Sequence, residues 1–550
     1  MSAPGRFPSR RPLVLGRGGA IATSHPLASL AGLDALRAGG TAADACVTAA
    51  AMLNVVEPMS TGIGGDVFAL VWDAKLGRLS ALNGSGRAPS GASVPAYRER
   101  GWHRVPLTGA APITVPGSAR AWEDLLQAHG RLGLARALAP AIERAERGFE
   151  VTETVAANWR AVTPKLEKER EAARVFLPGG HAPTIGETVR FPELAQTFRT
   201  VARDGAAAIY DGDFARRLLE EMRARGFPWS AADLSGHRST WDEPISAEYR
   251  GHRVYECPPN GQGLAALEAL SILDGISFGE ALDADSLHAQ IEAMKLGFAD
   301  AHRYVADPAL AGVPIAELLD PRYAAERRAL IQMDRAAERA EAGEVAAGRD
   351  TVYLCAVDAD GNAVSFINSL YYGFGSAVVV PGTGVCLQNR GAGFSLDAEH
   401  PNRIEPGKRP FHTIIPAMIF GPGPLERGPL YVYGVMGGPM QPQGHLQVAC
   451  NLLDFGLDPQ QALDAPRFRV IVNADEPGEA AAGRPDYELM LESGLAWVVD
   501  DLAARGHRLV AADDPRHGGF GGGQIIRMES DTGVRAAGSD PRKDGVALAE

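Results

Sequence analysis

Three features of the sequence predict an α+β fold built from layers of helix and sheet. Helical patterns near the start run straight into a pair of strand patterns, a long central stretch reads mostly as helix, and a second strand pair opens abruptly at Thr351. At 550 residues, 45% apolar and 22% charged, the chain can bury a large core, which excludes a disordered or fibrous protein.

The first helix begins at Pro26, carries Leu27, Leu30, Leu33 and Leu36, and stops at Gly39-Gly40. A second starts with the capping box Thr41-Ala-Ala-Asp44 and runs to about Asn54; its Ala-rich, nearly uncharged composition predicts burial on all sides. Strand patterns follow over Val67 to Trp72 and Leu79 to Leu82. From about 115 to about 335 the pattern is largely helical, with turns at Pro178-Gly-Gly180 and Pro258-Pro-Asn-Gly-Gln-Gly263. Asp334 to Asp350 has no large apolar anchor and is expected to be mobile or exposed. Beyond it, Thr351 to Asp358 and Ala363 to Asn368 form a hairpin around Ala359-Asp-Gly-Asn362. Further strands are expected at Leu430 to Met436, Gly523 to Met528 and Val534 to Gly538. Helices are expected near Pro442 to Leu453, Pro459 to Leu463 and Gly494 to Arg505.

A net charge of −13, from 54 basic and 67 acidic residues, gives no electrostatic reason to bind nucleic acid or an anionic membrane, so neither is an expected partner. The five cysteines are odd in number and far apart, which argues against a disulfide framework and for a reducing compartment. The basic N-terminus leads into too short an apolar run for a signal peptide, and no stretch approaches the roughly 20 apolar residues of a membrane span. A cytoplasmic protein is the expectation.

The common nucleotide, zinc and serine-hydrolase signatures are absent, and the thirteen histidines show no ligand-spaced pair, so no cofactor and no metal site is expected. By itself Thr351 is a threonine that opens a strand. Its context is more specific. Gly40-Thr-Ala-Ala-Asp-Ala45, Val56-Glu-Pro-Met-Ser-Thr-Gly-Ile-Gly-Gly65, Asp350-Thr351, Val357-Asp-Ala-Asp-Gly-Asn-Ala-Val364, Phe374-Gly-Ser376, Lys408-Arg-Pro410, Gly437-Gly438, Ala465-Pro-Arg-Phe468 and Ser539-Asp-Pro-Arg542 occur in this order. In these stretches, and from about Gly16 to Gly545, the sequence resembles the γ-glutamyltranspeptidase family of N-terminal nucleophile hydrolases.

The resemblance implies a four-layer αββα sandwich made as one inactive chain that cuts itself between Asp350 and Thr351. Residues 1–350 would form a large subunit and 351–550 a small one, together one αββα domain, as an αβ heterodimer alone or doubled as (αβ)2. The chemistry of such a cut is sound: the hydroxyl of Thr351 attacks the preceding carbonyl, and hydrolysis of the resulting ester frees an α-amine. That amine titrates near pH ~8 and can then take the hydroxyl proton. The same resemblance matches Ser369 to a hydroxyl that holds the nucleophile, and His412 and Thr413 to a pair of pocket serines. It matches Gly437 and Gly438 to the backbone amides of an oxyanion hole.

Two family positions that grip the γ-glutamyl α-carboxylate and α-ammonium are altered. The expected arginine falls on Ser85, with Arg87 nearby, and the expected acid falls on Gly393, with Arg390 at the preceding glutamine position. Tyr371 replaces a pocket asparagine. Losing an acid and adding a guanidinium favours an acyl group that carries a carboxylate and no amine, although Arg390 also fits a structural ion pair, His412 a satisfied core histidine and Tyr371 simple packing. In Asn-Arg-Gly and Phe-His-Thr the chain looks most like the oxamate amidohydrolase and glutathione-hydrolase-like branch. The favoured reading is a self-processing amide hydrolase for a small acidic amide, working through an acyl-threonine. A true γ-glutamyltransferase or glutathione hydrolase is the alternative, and an unprocessed, non-catalytic binding relative is a second.

Overall fold

The computed structural model describes residues 11–338, 351–472, 487–511 and 519–550; Asp350, half of the expected cleavage junction, lies outside them. Two seven-stranded antiparallel sheets dominate. Their strands are β1 (Val14–Gly16), β2 (Ala20–Thr23), β3 (Asp66–Asp73), β4 (Arg78–Asn83), β5 (Thr240–Asp242), β6 (Ile245–Tyr249) and β7 (His252–Glu256), followed by β8 (Val352–Val357), β9 (Ala363–Ser369), β10 (Ala417–Phe420), β11 (Pro429–Met436), β12 (Gly522–Met528), β13 (Arg535–Ser539) and β14 (Val546–Ala549). One sheet has the order β1-β13-β12-β11-β10-β7-β6, the other β14-β2-β8-β9-β3-β4-β5.

The sheets face each other across Phe68, Leu70, Trp72, Tyr353, Cys355, Ile367, Met418, Val432 and Ile526. Helices cover the outer faces. On one side α1 (Pro26–Arg37) and α2 (Ala42–Val56) pack on Val352, Leu354, Ala356, Val364 and Phe366. On the other, α3 (Gly263–Leu273), α4 (Ala284–Tyr304) and α5 (Met440–Leu453) pack on Val254, Ile419, Tyr433 and Ile525. This is the αββα sandwich that the resemblance implies. Strand β8 shows why its sequence is apolar throughout: alternate residues enter the helix-facing core and the inter-sheet core, so neither face meets water. Where β8 crosses β11 the sheets come so close that a Cβ at Gly434 would lie 2.5 Å from the Tyr353 ring.

Helix α2 carries the expected capping box, with the Thr41 side chain accepting from the Asp44 amide and Asp44 accepting from Thr41, and all fifteen of its residues are buried. Two expectations need correcting. The central region also supplies β5, β6 and β7, one strand to one sheet and a hairpin to the other. The half-polar Ile-Ser-Ala-Glu-Tyr of β6 hides its period, because it forms the edge of its sheet. Near Gly494 to Arg505 a 3₁₀ turn, Ser493–Val498, precedes a short helix, Val499–Ala504. Of the stretch expected to be mobile or exposed, Asp334, Arg335 and Glu338 are exposed, while Ala336 is buried with its amide donating to the Arg505 carbonyl and Ala337 donates to Glu292. Residues 339–350 lie outside the described residues. All five cysteines are free and buried. Among the described residues no helix is long and apolar enough to cross a membrane.

Candidate active site

Strand pairing assembles the site. Val352 of β8 lies opposite Asn368 of β9, so Thr351, one residue earlier, meets Ser369, one residue later; Ser369 in turn pairs with Asp66 at the start of β3. Three polar side chains therefore stand side by side at one end of an otherwise apolar sheet, and all three are buried. Gly65 permits this crowding, since a Cβ there would come within 2.2 Å of the Ser369 carbonyl oxygen.

The Thr351 and Ser369 hydroxyls are 3.0 Å apart. Ser369 Oγ accepts from the Tyr371 amide at 2.9 Å and from Arg390 Nη2 at 3.1 Å. In the Thr351–Ser369 pair either hydroxyl can be the donor. Tyr371 holds a left-handed backbone, φ +84°, where a bulky residue is uncommon, and its ring lies 4.1 Å beneath the Arg390 guanidinium.

Arg390 opens a short 3₁₀ turn, Arg390–Gly393, fixed from outside by the Gly391 amide on the Pro112 carbonyl. Its second amino group donates to Thr413 Oγ1 at 2.7 Å. Among the described residues no carboxylate comes within 4.0 Å of it, so the structural ion pair is not seen. Burial lowers its ionisation to about 10, opposed by Tyr371 and Asp66, and it stays charged at neutral pH.

Asp66 collects three donors: the Gly86 amide and Gln388 Nε2 on one oxygen, both at 2.9 Å, and His412 Nε2 on the other at 3.1 Å. His412 Nδ1 accepts from the Ile414 amide, so Nε2 carries the proton. Burial, with Arg390 and Arg409 next, holds this imidazole neutral, well below its usual range. Burial also pushes the Asp66 carboxyl up to about 7 against the pull of Arg390. Both ring nitrogens of His412 are therefore satisfied inside the protein.

Arg87 stands apart, donating to the Arg238 carbonyl at 3.2 Å. The guanidinium at Ser85, where the resemblance looked for an arginine, comes from Arg409, which donates to the carbonyls of Ser85 and Asn83. Gly437 and Gly438, with φ of +128° and +60°, turn the chain from β11 into α5. Gln262 Nε2 ties the Gly438 carbonyl to that of Thr413, at 2.9 and 2.8 Å. Among the described residues neither glycine amide meets an acceptor, which leaves two N–H groups at a helix N-terminus for an anionic oxygen.

Reading the sequence for function missed Asp66, Gln388, Gln262 and Arg409. Asp66 and Gln388 directly adjoin matched stretches, but their convergence depends on contacts more than 300 residues apart. Outside this site, His288 and Glu292 lie four residues apart on α4 and meet His507, with their ligand atoms within 4.8 Å of one another.

Comparison with known proteins agrees with this geometry. The gamma-glutamyltranspeptidase family profile matches residues 28–550. The chain is 38% identical to the glutathione hydrolase-like YwrD proenzyme of Bacillus subtilis, covering 97% of this chain and 99% of that protein. It is 35% identical to the oxamate amidohydrolase proenzyme of Klebsiella pneumoniae, covering 96% and 98%. The crystal structure of cephalosporin acylase from Bacillus halodurans superposes with a TM-score of 0.90 at 44% identity, over 100% of this chain and 98% of that one. With the layered fold and near full-length likeness to these proteins, the chain belongs to the γ-glutamyltranspeptidase family, enzymes that hydrolyse or transfer across amide bonds.

Proposed function

We propose that this enzyme cuts its own Asp350–Thr351 bond and then hydrolyses small amides whose acyl group carries a carboxylate, as the name of the oxamate amidohydrolase relative suggests. The observation that carries the reading is the buried Arg390 fork, joined to Thr351 through Ser369 and to Thr413 directly, with no carboxylate partner among the described residues.

In the first cut, Thr351 Oγ bonds to the Asp350 carbonyl carbon, the C–N bond breaks, and the departing nitrogen keeps its proton and gains the one from the hydroxyl. Water then hydrolyses the ester, leaving a carboxylate on residue 350 and an α-amine on residue 351. Fragments 1–350 and 351–550 remain together as an αβ unit. In turnover, that amine takes the Thr351 proton as Oγ attacks the substrate carbonyl. Gly437 and Gly438 amides hold the oxyanion, a contribution of about 3 to 4 kcal/mol per donor. The resulting ammonium protonates the leaving amine or ammonia, and water cleaves the acyl-threonine by the reverse sequence. Ser369 orients the nucleophile, and Arg390 with Thr413 binds the acyl carboxylate above Tyr371. His412 positions Asp66, and Arg87 adds a more distant positive charge.

Purified enzyme should run as two pieces in denaturing electrophoresis, the smaller beginning Thr-Val-Tyr-Leu, and should release ammonia from oxamate faster than it cleaves γ-glutamyl-p-nitroanilide. A single band that still turns over substrate would overturn the nucleophile, and preference for the γ-glutamyl substrate would overturn the pocket.

Asp66 sets a pH dependence. Its carboxyl is protonated below about 7 and ionised above, so raising the pH adds a negative charge near Arg390 while His412 stays neutral. Anionic acyl groups then bind less well, because two like charges in a buried pocket repel each other. KM for oxamate is expected to rise between pH 6 and 8 in the wild type and to lose this step in Asp66→Asn. Identical profiles for the two proteins would remove Asp66 from the pocket.

A further inference from the structure

In the second helix layer, α4 presents His288 and Glu292 one turn apart. His507, in the turn after the helix Val499–Ala504, reaches the same point. All three side chains are buried. His288 Nε2 lies 2.9 Å from the Gln332 carbonyl, which makes that nitrogen the N–H donor and leaves the Nδ1 lone pair aimed at His507 Nε2, 2.7 Å away. A ring nitrogen anchored on a backbone carbonyl, with the other aimed inward, is how proteins orient imidazoles that bind metals.

Glu292 completes the set. Its Oε1 accepts from Lys295 at 2.7 Å and its Oε2 from the Ala337 amide at 3.0 Å. A carboxylate has about four lone-pair positions, so each oxygen retains one. Lys295 also donates to the Ala337 carbonyl at 3.0 Å, an acceptor it keeps when an ion draws Glu292 away.

We infer that His288, Glu292 and His507 form a site for a first-row divalent cation of the Zn2+ class. Two imidazoles and one carboxylate favour such ions over Ca2+ or Mg2+, which prefer all-oxygen shells. Metal–nitrogen bonds of about 2.0 to 2.1 Å hold neighbouring nitrogens a little over 3 Å apart, so a small tilt of either ring, with the His507 proton shifted from Nε2 to Nδ1, replaces the present contact with two metal bonds. Three protein ligands leave a fourth tetrahedral position for water. His288 and Glu292 precede residue 351 and His507 follows it, so the ion links the two sides of the proposed cut. Gln332 and Ala337, which brace the ligands, belong to the segment leading towards the junction. Metal binding does not require the cut, and its test stands apart from amide chemistry.

The full-length protein, dialysed against a chelator, is titrated with CoCl2 by visible absorption and with ZnCl2 by calorimetry. The expected result is one equivalent per chain, an intense tetrahedral cobalt band and a Zn2+-dependent rise in Tm. His507→Ala and Glu292→Gln should each weaken binding by at least about tenfold, the scale on which even supporting groups matter. Lys295→Met, which removes the competing ammonium and keeps every ligand, should tighten it. Absence of the cobalt band from the wild type, or wild-type affinity in both ligand variants, overturns the site whatever the stability of any single variant.

Discussion

Thr351→Ala is expected to give one intact chain of 550 residues and no measurable amide turnover. Alanine removes the hydroxyl proposed to attack the preceding carbonyl; without the cut, residue 351 has an amide in place of an amine, so the base disappears with the nucleophile. The fold should survive, because the side chain is small and its contact with Ser369 is one hydrogen bond at 3.0 Å; losing that bond costs about 1 kcal/mol. Electrophoresis and circular dichroism of the variant check both halves. Two bands from Thr351→Ala would assign the chemistry to a different residue.

Arg390→Ala should separate binding from self-cleavage. Charge-assisted hydrogen bonds to a carboxylate contribute about 1.5 to 3 kcal/mol, so KM for oxamate is expected to rise about 10- to 100-fold, with a much smaller change for a neutral amide. Self-cleavage should continue, since Ser369 still accepts from the Tyr371 amide and still pairs with the Thr351 hydroxyl. Removing a guanidinium packed on the Tyr371 ring leaves a cavity, so some stability is lost as well. Steady-state kinetics on the two amides give the answer: an unchanged ratio of their KM values would make Arg390 a structural residue.

The sequence made local order legible wherever one periodicity dominates. The capping box at Thr41 and Asp44 marked the start of a buried helix, and the apolar alternation after Thr351 marked the central hairpin. It concealed strands whose partners arrive from afar: β1 and β2 are three and four residues long and pair with β13 and β14 near the opposite end of the chain. The same limit governed the site. Thr351 and Ser369 are neighbours across one hairpin and could be paired by counting residues. Asp66 could not, because Gly86, Gln388 and His412 reach it only through tertiary structure. His288 and Glu292 lie one helical turn apart, but nothing local points to His507, 219 residues beyond His288.

The strand order has a consequence for the lifetime of the molecule. Strand β2, from ahead of residue 351, lies between β14 and β8, which come after it; β9 leads on to β3, and in the facing sheet β1 borders β13 while β10 borders β7. Neither product of a break at that residue would own a complete sheet. Pulling them apart would unravel both sheets, so the nicked protein would be held together as firmly as the original. Unfolded, the pieces would have to find each other again in a second-order search, and sequence neighbours that once closed the sheets at no cost in concentration would have become strangers. The proposed cut would therefore run one way: the unbroken chain would serve as the folding template, discarded once used.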